Sequence, residues 1–194
     1  FYHIKVTSTL QLNLMLCILL FKKKDENFIP FRYKVNIMIL KKENVWDYPR
    51  PAICQKHKGI IEVIVDNKTI AKTNNAIRVI ETSHPPTYYF PPEDVVMNLL
   101  KKNKSNSFCE WKGIANYIDL HLDKIKILNI GWFYKSPKTE FQPIKDYISF
   151  YASKAEKCIV NGEIVKKQEG EFYGGWITKN LTGPFKGATG TSFW

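Results

Sequence analysis

Residues 59–81 read GIIEVIVDNKTIAKTNNAIRVIE, and this stretch decides the fold class. Three short runs rich in Ile and Val are separated by the tripeptide DNK (66–68) and by the pair NN (74–75). Short β-branched runs between Asn and Asp turn residues are typical of strands that follow one another directly. The stretch therefore predicts a β-meander of three antiparallel strands.

Strand-like segments continue towards the C-terminus. Asn161-Gly162 separates CIV from EIV and is the strongest hairpin signal in the chain, because both central residues of that turn need a positive φ. The segment PPED (91–94) predicts a short helix that runs to Leu100, and FQPIKDYI (141–148) predicts a second helical turn. Further strands are expected at TYYF (87–90), ANYIDLHL (115–122), KIKILNI (124–130) and GWFY (131–134). The predicted fold class is mostly β with a minor α component: an antiparallel, sandwich-like domain with one or two short helices.

The composition supports a folded chain. Its 194 residues are 44% hydrophobic and 14% aromatic, which is enough to bury a core and excludes general disorder. The formal net charge is +11, and residues 1–44 carry eight Lys or Arg against three acids. The lysines elsewhere are scattered through polar segments such as KKNKSNS (101–107), which favours a solvated surface over a nucleic-acid groove. Nucleic-acid binding through this basic surface is kept as an alternative.

Three parts of the chain differ in composition. Residues 1–44 are expected to be an N-terminal extension, residues 45–151 the core domain, and residues 152–194 a C-terminal hairpin and Gly-rich extension packed on that core. The apolar run LNLMLCILLF (12–21) is too short to span a bilayer, so no membrane partner is expected. The four cysteines form no C-x-x-C pair, which gives no local signature of a zinc site, and a reducing, cytoplasmic location is expected.

The segment RVIETSHPPTYYFPPEDV (78–95) is the first candidate site. Strand alternation places Arg78 on one face and Glu81 on the other, and it sends Tyr88 and Tyr89 to opposite faces, so that only one of the two tyrosines joins a site. Arg78 needs a carboxylate or a bound anion as partner, and an internal ion pair is the structural alternative. Glu81 in apolar surroundings is the candidate general acid or base. His84 and Asp94 are candidate ligand-binding residues, or else a turn residue and a helix-start acid.

The segment SFCEWKGIANY (107–117) is the second candidate site. Lys112 followed by Gly113 puts an ammonium group where the backbone can approach a ligand closely. Cys109 is a candidate nucleophile, although an inert buried cysteine is the alternative. Four aromatic residues are expected to line the pocket or to pack in the core: Trp111, Tyr117, Trp132 and Tyr134.

Taken in order, RVIETSHPPTYYFPPEDV, CEWKGIANY, GWFYKSP and FYAS resemble the family called domain of unknown function 427, over about residues 46–151. The GEFYGGWIT and GPFKG segments are similar to an extension carried by some of its members. The resemblance implies a fold similar to the β-tent, in which two antiparallel sheets meet at an angle. Some β-tent proteins bind zinc through two cysteine pairs, but this chain lacks those pairs, so neither a metal nor another cofactor is expected.

The family also carries a nucleotidyltransferase-like label, which implies carboxylates arranged around Mg²⁺. Glu93 and Asp94 are the only adjacent pair in the motif, and neighbours on a helix point apart. The motif match carries over onto this chain at twelve positions, which are Arg78, Glu81, Tyr88, Tyr89, Asp94, Cys109, Trp111, Lys112, Gly113, Tyr117, Trp132 and Tyr134.

These residues lead to three functional hypotheses. In the first, the protein holds an anionic small molecule between Arg78 and Lys112, and Glu81 acts on it as acid or base. In the second, the same aromatic cleft binds a ligand or a peptide without catalysis. In the third, the basic surface binds nucleic acid. The substrate and the oligomeric state do not follow from the sequence.

Overall fold

The computed structural model describes residues 41–191 and 193–194. The expected extension over residues 1–44 therefore falls almost entirely outside the described residues. Described residues from Lys41 onward belong to one compact unit. Within them, no helix is long and apolar enough to cross a membrane.

The described part of the chain folds into short strands. In chain order they are β1 (Glu43–Asn44), β2 (Ile53–Lys56), β3 (Ile61–Val65), β4 (Lys68–Thr73), β5 (Ile77–Ile80), β6 (Thr87–Tyr89), β7 (Leu100–Cys109), β8 (Gly113–Leu122), β9 (Ile125–Phe133), β10 (Ser149–Phe150), β11 (Lys157–Val160), β12 (Glu163–Ile164), β13 (Lys166–Lys167), β14 (Trp176–Ile177) and β15 (Leu181–Thr182). Short 3₁₀ helices span Val45–Asp47, Pro92–Asp94, Met97–Leu99 and Thr139–Ile144.

The strands form two four-stranded sheets, β10-β9-β8-β7 and β12-β11-β3-β4, and one three-stranded sheet, β2-β5-β6. All strand pairs in these three sheets are antiparallel. Two small pairs complete the set, the parallel β1-β15 and the antiparallel β13-β14. The mostly β, antiparallel fold class is therefore confirmed, and the three-stranded sheet is a detail that the sequence did not separate from the rest.

The prediction of a three-stranded meander was wrong at its third strand. β3 and β4 pair as expected around Asp66-Asn67, but β5 pairs with β2 and β6 instead of β4. Thr73 Oγ1 accepts the backbone N–H of Asn75 at 2.9 Å, and this local hydrogen bond bends the chain out of the sheet. The pair Asn74-Asn75 therefore changes sheets instead of closing a hairpin.

The predicted helix after Pro92 is interrupted. Two separate 3₁₀ helices replace it, because Val95 forms a β-bridge with Ala71, and Val96 N–H donates to Ile70 O at 2.9 Å. These contacts with β4 hold the two β-branched residues out of helical conformation. The predicted helical turn at 141–148 corresponds to the 3₁₀ helix Thr139–Ile144.

One long strand was missed. No strand is expected in the polar, lysine-rich segment 101–107, yet it lies in β7, a ten-residue edge strand paired with β8. Lysines on an edge strand discourage pairing with another chain, so a polar sequence is compatible with a strand at this position. Hydrophobic periodicity does not indicate this strand, because its side chains are exposed or only partly buried.

Two large hydrophobic clusters form most of the interior, and a small third cluster contains Val45, Tyr48, Ile80 and Leu181. The larger of the two contains side chains from both four-stranded sheets, such as Ile61 and Leu120, together with Trp176 of β14. The smaller lies between the three-stranded sheet and β8 and β9, and it includes Val79, Tyr89 and Trp132. Ile118, Leu120 and Leu122 of β8 enter the first cluster, whereas Ala115 and Tyr117 pack in the second. Opposite faces of this strand therefore contribute to different cores.

The C-terminal residues are integrated into these layers. The hairpin predicted at Asn161-Gly162 joins β11 to β12, with φ values of 50° and 82° at the two turn residues. β11 also pairs along its length with β3. Trp176 is fully buried, and its indole N–H donates to Phe150 O at 3.0 Å.

Candidate functional site

A cavity of about 120 Å³ lies between the three-stranded sheet and β7, β8 and β9. Its lining includes eight of the residues that the sequence singled out, which are Glu81, His84, Tyr89, Cys109, Lys112, Tyr117, Trp132 and Tyr134. The two candidate segments therefore meet here, although they are far apart in the chain. We call this space the tyrosine cavity.

Strand alternation selects which residues reach it. On β5 and the residue after it, Val79 and Glu81 line the cavity, and on β6 Thr87 and Tyr89 do so. Their neighbours Arg78 and Tyr88 belong to the opposite face of the same sheet. A period of two residues therefore separates the side chains of one short segment into two environments.

Glu81 is held by Trp111. The indole N–H of Trp111 donates to Glu81 Oε1 at 2.8 Å, and the guanidinium of Arg50 lies 5.8 Å from the centre of the Trp111 ring. Trp111 itself does not line the cavity. Its effect on the site is indirect, since it fixes the carboxylate that does.

His84 is fixed in one tautomer. Its Nδ1 lies 3.0 Å from the carbonyl oxygen of Thr82, and a carbonyl oxygen only accepts, so Nδ1 carries the proton and Nε2 is the basic nitrogen. The ring packs edge-on against Tyr173 with 5.0 Å between the ring centres. Burial lowers the pKa of His84, and this favours the neutral imidazole near neutral pH.

Tyrosines dominate the walls. Tyr89, Tyr117, Tyr134 and Tyr151 all line the cavity, and Trp132 lies between them, 4.5 Å from Tyr151 and 6.4 Å from Tyr89 by ring centres. Burial raises the pKa of Tyr89, Tyr134 and Tyr151 well above the ordinary value for a phenol. These three phenols are therefore protonated at physiological pH and can donate hydrogen bonds.

The Tyr89 hydroxyl is buried without a partner. The side chain is fully inaccessible to solvent, and its oxygen makes no hydrogen bond of normal geometry to any residue that the structure describes, although the Trp132 indole and the Tyr134 hydroxyl are polar groups near it. Tyr117, by contrast, has its hydroxyl 3.0 Å from Ser107 Oγ, and the Tyr151 hydroxyl donates to Phe172 O at 3.1 Å. An unpaired buried hydroxyl costs about 1–3 kcal/mol, so Tyr89 has unused capacity for a ligand.

Among the described residues, Lys112 is the one Lys or Arg side chain that lines the tyrosine cavity. It lies in the turn between β7 and β8, and its ammonium is 5.6 Å from the centre of the Phe141 ring. None of the ion pairs within residues 41–191 involves it. Gly113 ends this turn with a φ of 95°, so its role is to shape the turn that positions Lys112.

Cys109 also lines the cavity, at the end of β7 and opposite Gly113. The side chain is partly exposed and packs against the smaller hydrophobic cluster. It shares this cavity with Lys112 and His84, and its role as a nucleophile stays a prediction.

The loop between β13 and β14, residues 168–175, supplies a wall that sequence reasoning missed. Gln168 is buried and accepts Gly175 N–H at 3.0 Å while its own amide donates to Lys186 O at 2.7 Å. Gly174 lies directly on the Trp132 indole, so close that a Cβ there would be 2.2 Å from Cη2 of the ring. Phe172 and Tyr173 line the cavity as well. The glycines of the GEFYGGW segment were the sequence signal here. Glycine allows the backbone to approach another group closely, but it does not indicate which group.

Three predicted site residues lie elsewhere. Arg78 and Tyr88 line a different cavity, because alternation on β5 and β6 points them away from Glu81 and Tyr89. The arrangement in which Arg78 and Lys112 hold one ligand is therefore not formed. Asp94 accepts a hydrogen bond from Thr73 Oγ1 at 2.6 Å and ties a 3₁₀ helix to the end of β4, which is a structural role.

Within residues 41–191 and 193–194, no three His, Cys, Asp or Glu side chains come together in a group that could hold a metal ion. The polar groups that line the tyrosine cavity are phenols, an indole, aliphatic hydroxyls, an amide, a thiol, an imidazole, an ammonium and one carboxylate. Such a set suits an organic ligand that bears acceptor oxygens better than a cation.

No curated protein matches this chain. A family model described as a domain of unknown function (DUF427) matches residues 53–161, more than half of the chain. Both candidate segments fall inside that range, whereas the loop 168–175 lies beyond it. The chain therefore belongs to the DUF427 family.

Proposed function

We propose that the chain binds a small anionic organic molecule in the tyrosine cavity and transfers a proton to or from it with Glu81. The observation that carries this proposal is the unpartnered hydroxyl of Tyr89, buried in the same cavity that Glu81 and Lys112 line. A ligand oxygen would satisfy that hydroxyl. Arg78 takes no part, since it lies on the opposite face of the sheet.

The charge and hydrogen-bonding character of the walls support an acidic ligand. Lys112 supplies one positive charge and takes part in none of the ion pairs among the described residues, and the neutral phenols of Tyr89 and Tyr134 supply donors. An ammonium and several O–H donors around one space recognise a carboxylate or an enolate oxygen. Aromatic rings line the same space and lower its local polarity, which strengthens each of these interactions.

The volume supports a small ligand. About 120 Å³ is room for roughly four water molecules and is below the range of about 300–1,000 Å³ that is usual for drug-sized ligands. An organic acid of a few carbon atoms fits this space, and a nucleotide does not.

Glu81 and His84 are the groups available for proton transfer, because the buried phenols have raised pKa values. Trp111 holds one oxygen of the Glu81 carboxylate and leaves Oε2 for the ligand. The neutral Nε2 of His84 is a second acceptor that lines the same space. With Lys112 stabilising developing negative charge, this set is suited to removing a proton from carbon beside a carbonyl.

The test begins with a thermal-shift screen of the full chain against carboxylic, oxo and hydroxy acids of two to six carbons. Acids that raise the melting temperature are incubated with the protein in D₂O, and proton exchange at carbon is followed by NMR. We expect Glu81→Gln to slow this exchange by about 10²–10⁴-fold, the usual contribution of a general base. Glu140→Gln, a change at an exposed glutamate outside the cavity, is the matched control.

Exchange that is as fast in Glu81→Gln as in the wild type would contradict the role of Glu81. A screen in which no acid raises the melting temperature would contradict the proposed ligand class. We expect Glu81→Gln still to bind the acid. Slower exchange with binding retained would show that the variant loses the proton-transfer step and not the binding site.

A second candidate is a binding module without catalysis. It is favoured by the Trp111 hydrogen bond, since a carboxylate held in this way can serve as a fixed acceptor for a ligand O–H or N–H. It predicts a ligand-dependent rise in melting temperature and no exchange in the wild-type protein. That outcome would overturn proton transfer and retain the binding site.

A further inference from the structure

The opposite face of the three-stranded sheet borders a second and larger cavity, of about 430 Å³. Arg78 of β5 and Tyr88 of β6 form its floor on this sheet with Gln55 of β2 beside Arg78, and Lys56 lines the cavity at the end of β2. The facing wall comes from Glu43 of β1 and Leu181 of β15, which pair with each other. None of its lining residues lines the tyrosine cavity. We call it the cationic cavity.

Its charge is strongly unbalanced. Four cations line it, Lys41, Lys56, Lys58 and Arg78, against the single acid Glu43. That acid is already neutralised, because its Oε1 lies 3.0 Å from Arg78 Nη1 and its Oε2 accepts the Tyr48 hydroxyl at 2.6 Å. The three lysines take part in none of the ion pairs among the described residues. The cavity therefore presents three positive charges without internal counter-charges.

Arg78 is pre-oriented within it. Nε donates to Gln55 Oε1 at 2.8 Å and Nη1 donates to Glu43 Oε1, so the guanidinium plane is fixed from two sides. Nη2 makes none of the hydrogen bonds found in the described part of the chain, and the side chain is 17% exposed. The amide of Gln55 is fixed by the same contact, which turns its NH₂ group away from Arg78. A held guanidinium with free N–H groups is a donor for an oxyanion.

We propose that the cationic cavity binds a small polyanion whose charges are carried by phosphate or carboxylate oxygens. Three unpaired lysines match a ligand with several negative charges better than a monoanion. The volume lies in the range of about 300–1,000 Å³ that is usual for small-molecule sites. Residues of both β2 and β15 line this space, and such a bounded space favours a small molecule over a nucleic-acid strand.

The experiment is calorimetric titration of the full chain with inorganic pyrophosphate and, separately, with citrate. The double variant Lys56→Met/Lys58→Met removes two exposed lysines of the cavity, and Lys101→Met/Lys104→Met removes two exposed lysines of β7 as the matched control. We expect the first variant to weaken polyanion binding at least about tenfold, since each charge-assisted contact contributes substantially. The control is expected to stay within about twofold, because screening reduces the effect of distant charges.

Tighter binding of pyrophosphate than of citrate assigns phosphate as the ligand group, and the reverse order assigns carboxylate. Two results would overturn the proposal: absence of binding of both anions at millimolar concentration, or equal weakening by both double variants. A single-stranded oligonucleotide that binds more tightly than either anion, and loses affinity in Lys56→Met/Lys58→Met, would replace the small-molecule class by nucleic acid. Glu81→Gln is expected to leave polyanion binding unchanged, which separates this site from the tyrosine cavity.

Discussion

The two faces of the β2-β5-β6 sheet carry opposite kinds of cavity. On one face, Glu81 and Tyr89 border a small space walled by aromatic rings with a single lysine. On the other, Arg78 and Tyr88 border a space more than three times larger, with four cations. Residues adjacent in sequence therefore belong to different sites, and closeness along a strand is a poor guide to shared function.

The comparison extends to one histidine on each side. His57 lines the cationic cavity and His84 lines the tyrosine cavity, and burial lowers the pKa of both. For His57 the lowered pKa is about 4, to which the charge of Arg78 also contributes, while Asn161 and Glu43 oppose it. Both imidazoles are therefore neutral in the folded protein near pH 7.

The largest expected effect is on the pH dependence of stability. A histidine with a pKa of about 4 when folded and 6.5 when unfolded binds its proton better in the unfolded chain, so stability is complete above pH 6.5 and is lost as pH falls towards 4. The full loss due to His57 is about 3 kcal/mol. The free energy of unfolding, measured in urea, should fall between pH 7 and pH 4.5 by less in His57→Phe than in the wild type. The difference between the two losses should be most of this amount.

The matched control is His121→Gln, a change at a partly exposed histidine of β8 that lines neither cavity. It should lose as much stability on acidification as the wild type. A His57→Phe variant that shows the wild-type loss would mean that His57 is not held neutral.

The next effect concerns the loop 168–175. In Gly174→Ala the new methyl group would overlap the Trp132 ring, so the loop or the indole must move. We expect the free energy of unfolding to fall by about 1–3 kcal/mol, as overpacking usually causes, with acid binding in the tyrosine cavity weakened at least about tenfold. Calorimetry should show unchanged pyrophosphate binding, and equal losses for both ligands would contradict the independence of the two cavities.

A crossed pair of lysine variants sharpens the comparison. Lys112→Met should weaken binding of the organic acid by about tenfold, or about 1.4 kcal/mol, and leave the polyanion unaffected. Lys56→Met/Lys58→Met should do the reverse. Titration of each variant with both ligands measures this, and a variant that weakens both to the same extent would show one general electrostatic effect instead of two sites.

Sequence patterns located much of this architecture because the relevant forces are local. Positive φ at Asn161-Gly162 gave the β11–β12 hairpin, and alternation separated Tyr88 from Tyr89. The same alternation already placed Arg78 and Glu81 on opposite faces. Assigning both to one ligand ignored that constraint and produced an arrangement that the fold does not form.

Other features depend on distant contacts that no local pattern encodes. The strand character of β7 comes from its pairing with β8, since its own lysines and serines give no strand pattern. The end of the meander at Asn74-Asn75 depends on the pairing of β5 with β2 and β6. The wall of the tyrosine cavity formed by residues 168–175 required the contact between Gly174 and Trp132, which are 42 residues apart in the sequence.

The free energy of unfolding of Tyr89→Phe, measured with and without the acid found by screening, tests the tyrosine cavity most directly. Without ligand, the variant should be more stable than the wild type by about 1 kcal/mol, because it no longer buries an unpaired hydroxyl. With ligand, it should gain less stability than the wild type, by an amount that corresponds to a loss of about five- to tenfold in affinity. Tyr147→Phe, a change at a partly buried tyrosine that does not line the cavity, should show neither effect. A Tyr89→Phe variant that is less stable without ligand and gains as much from the ligand as the wild type would contradict the account.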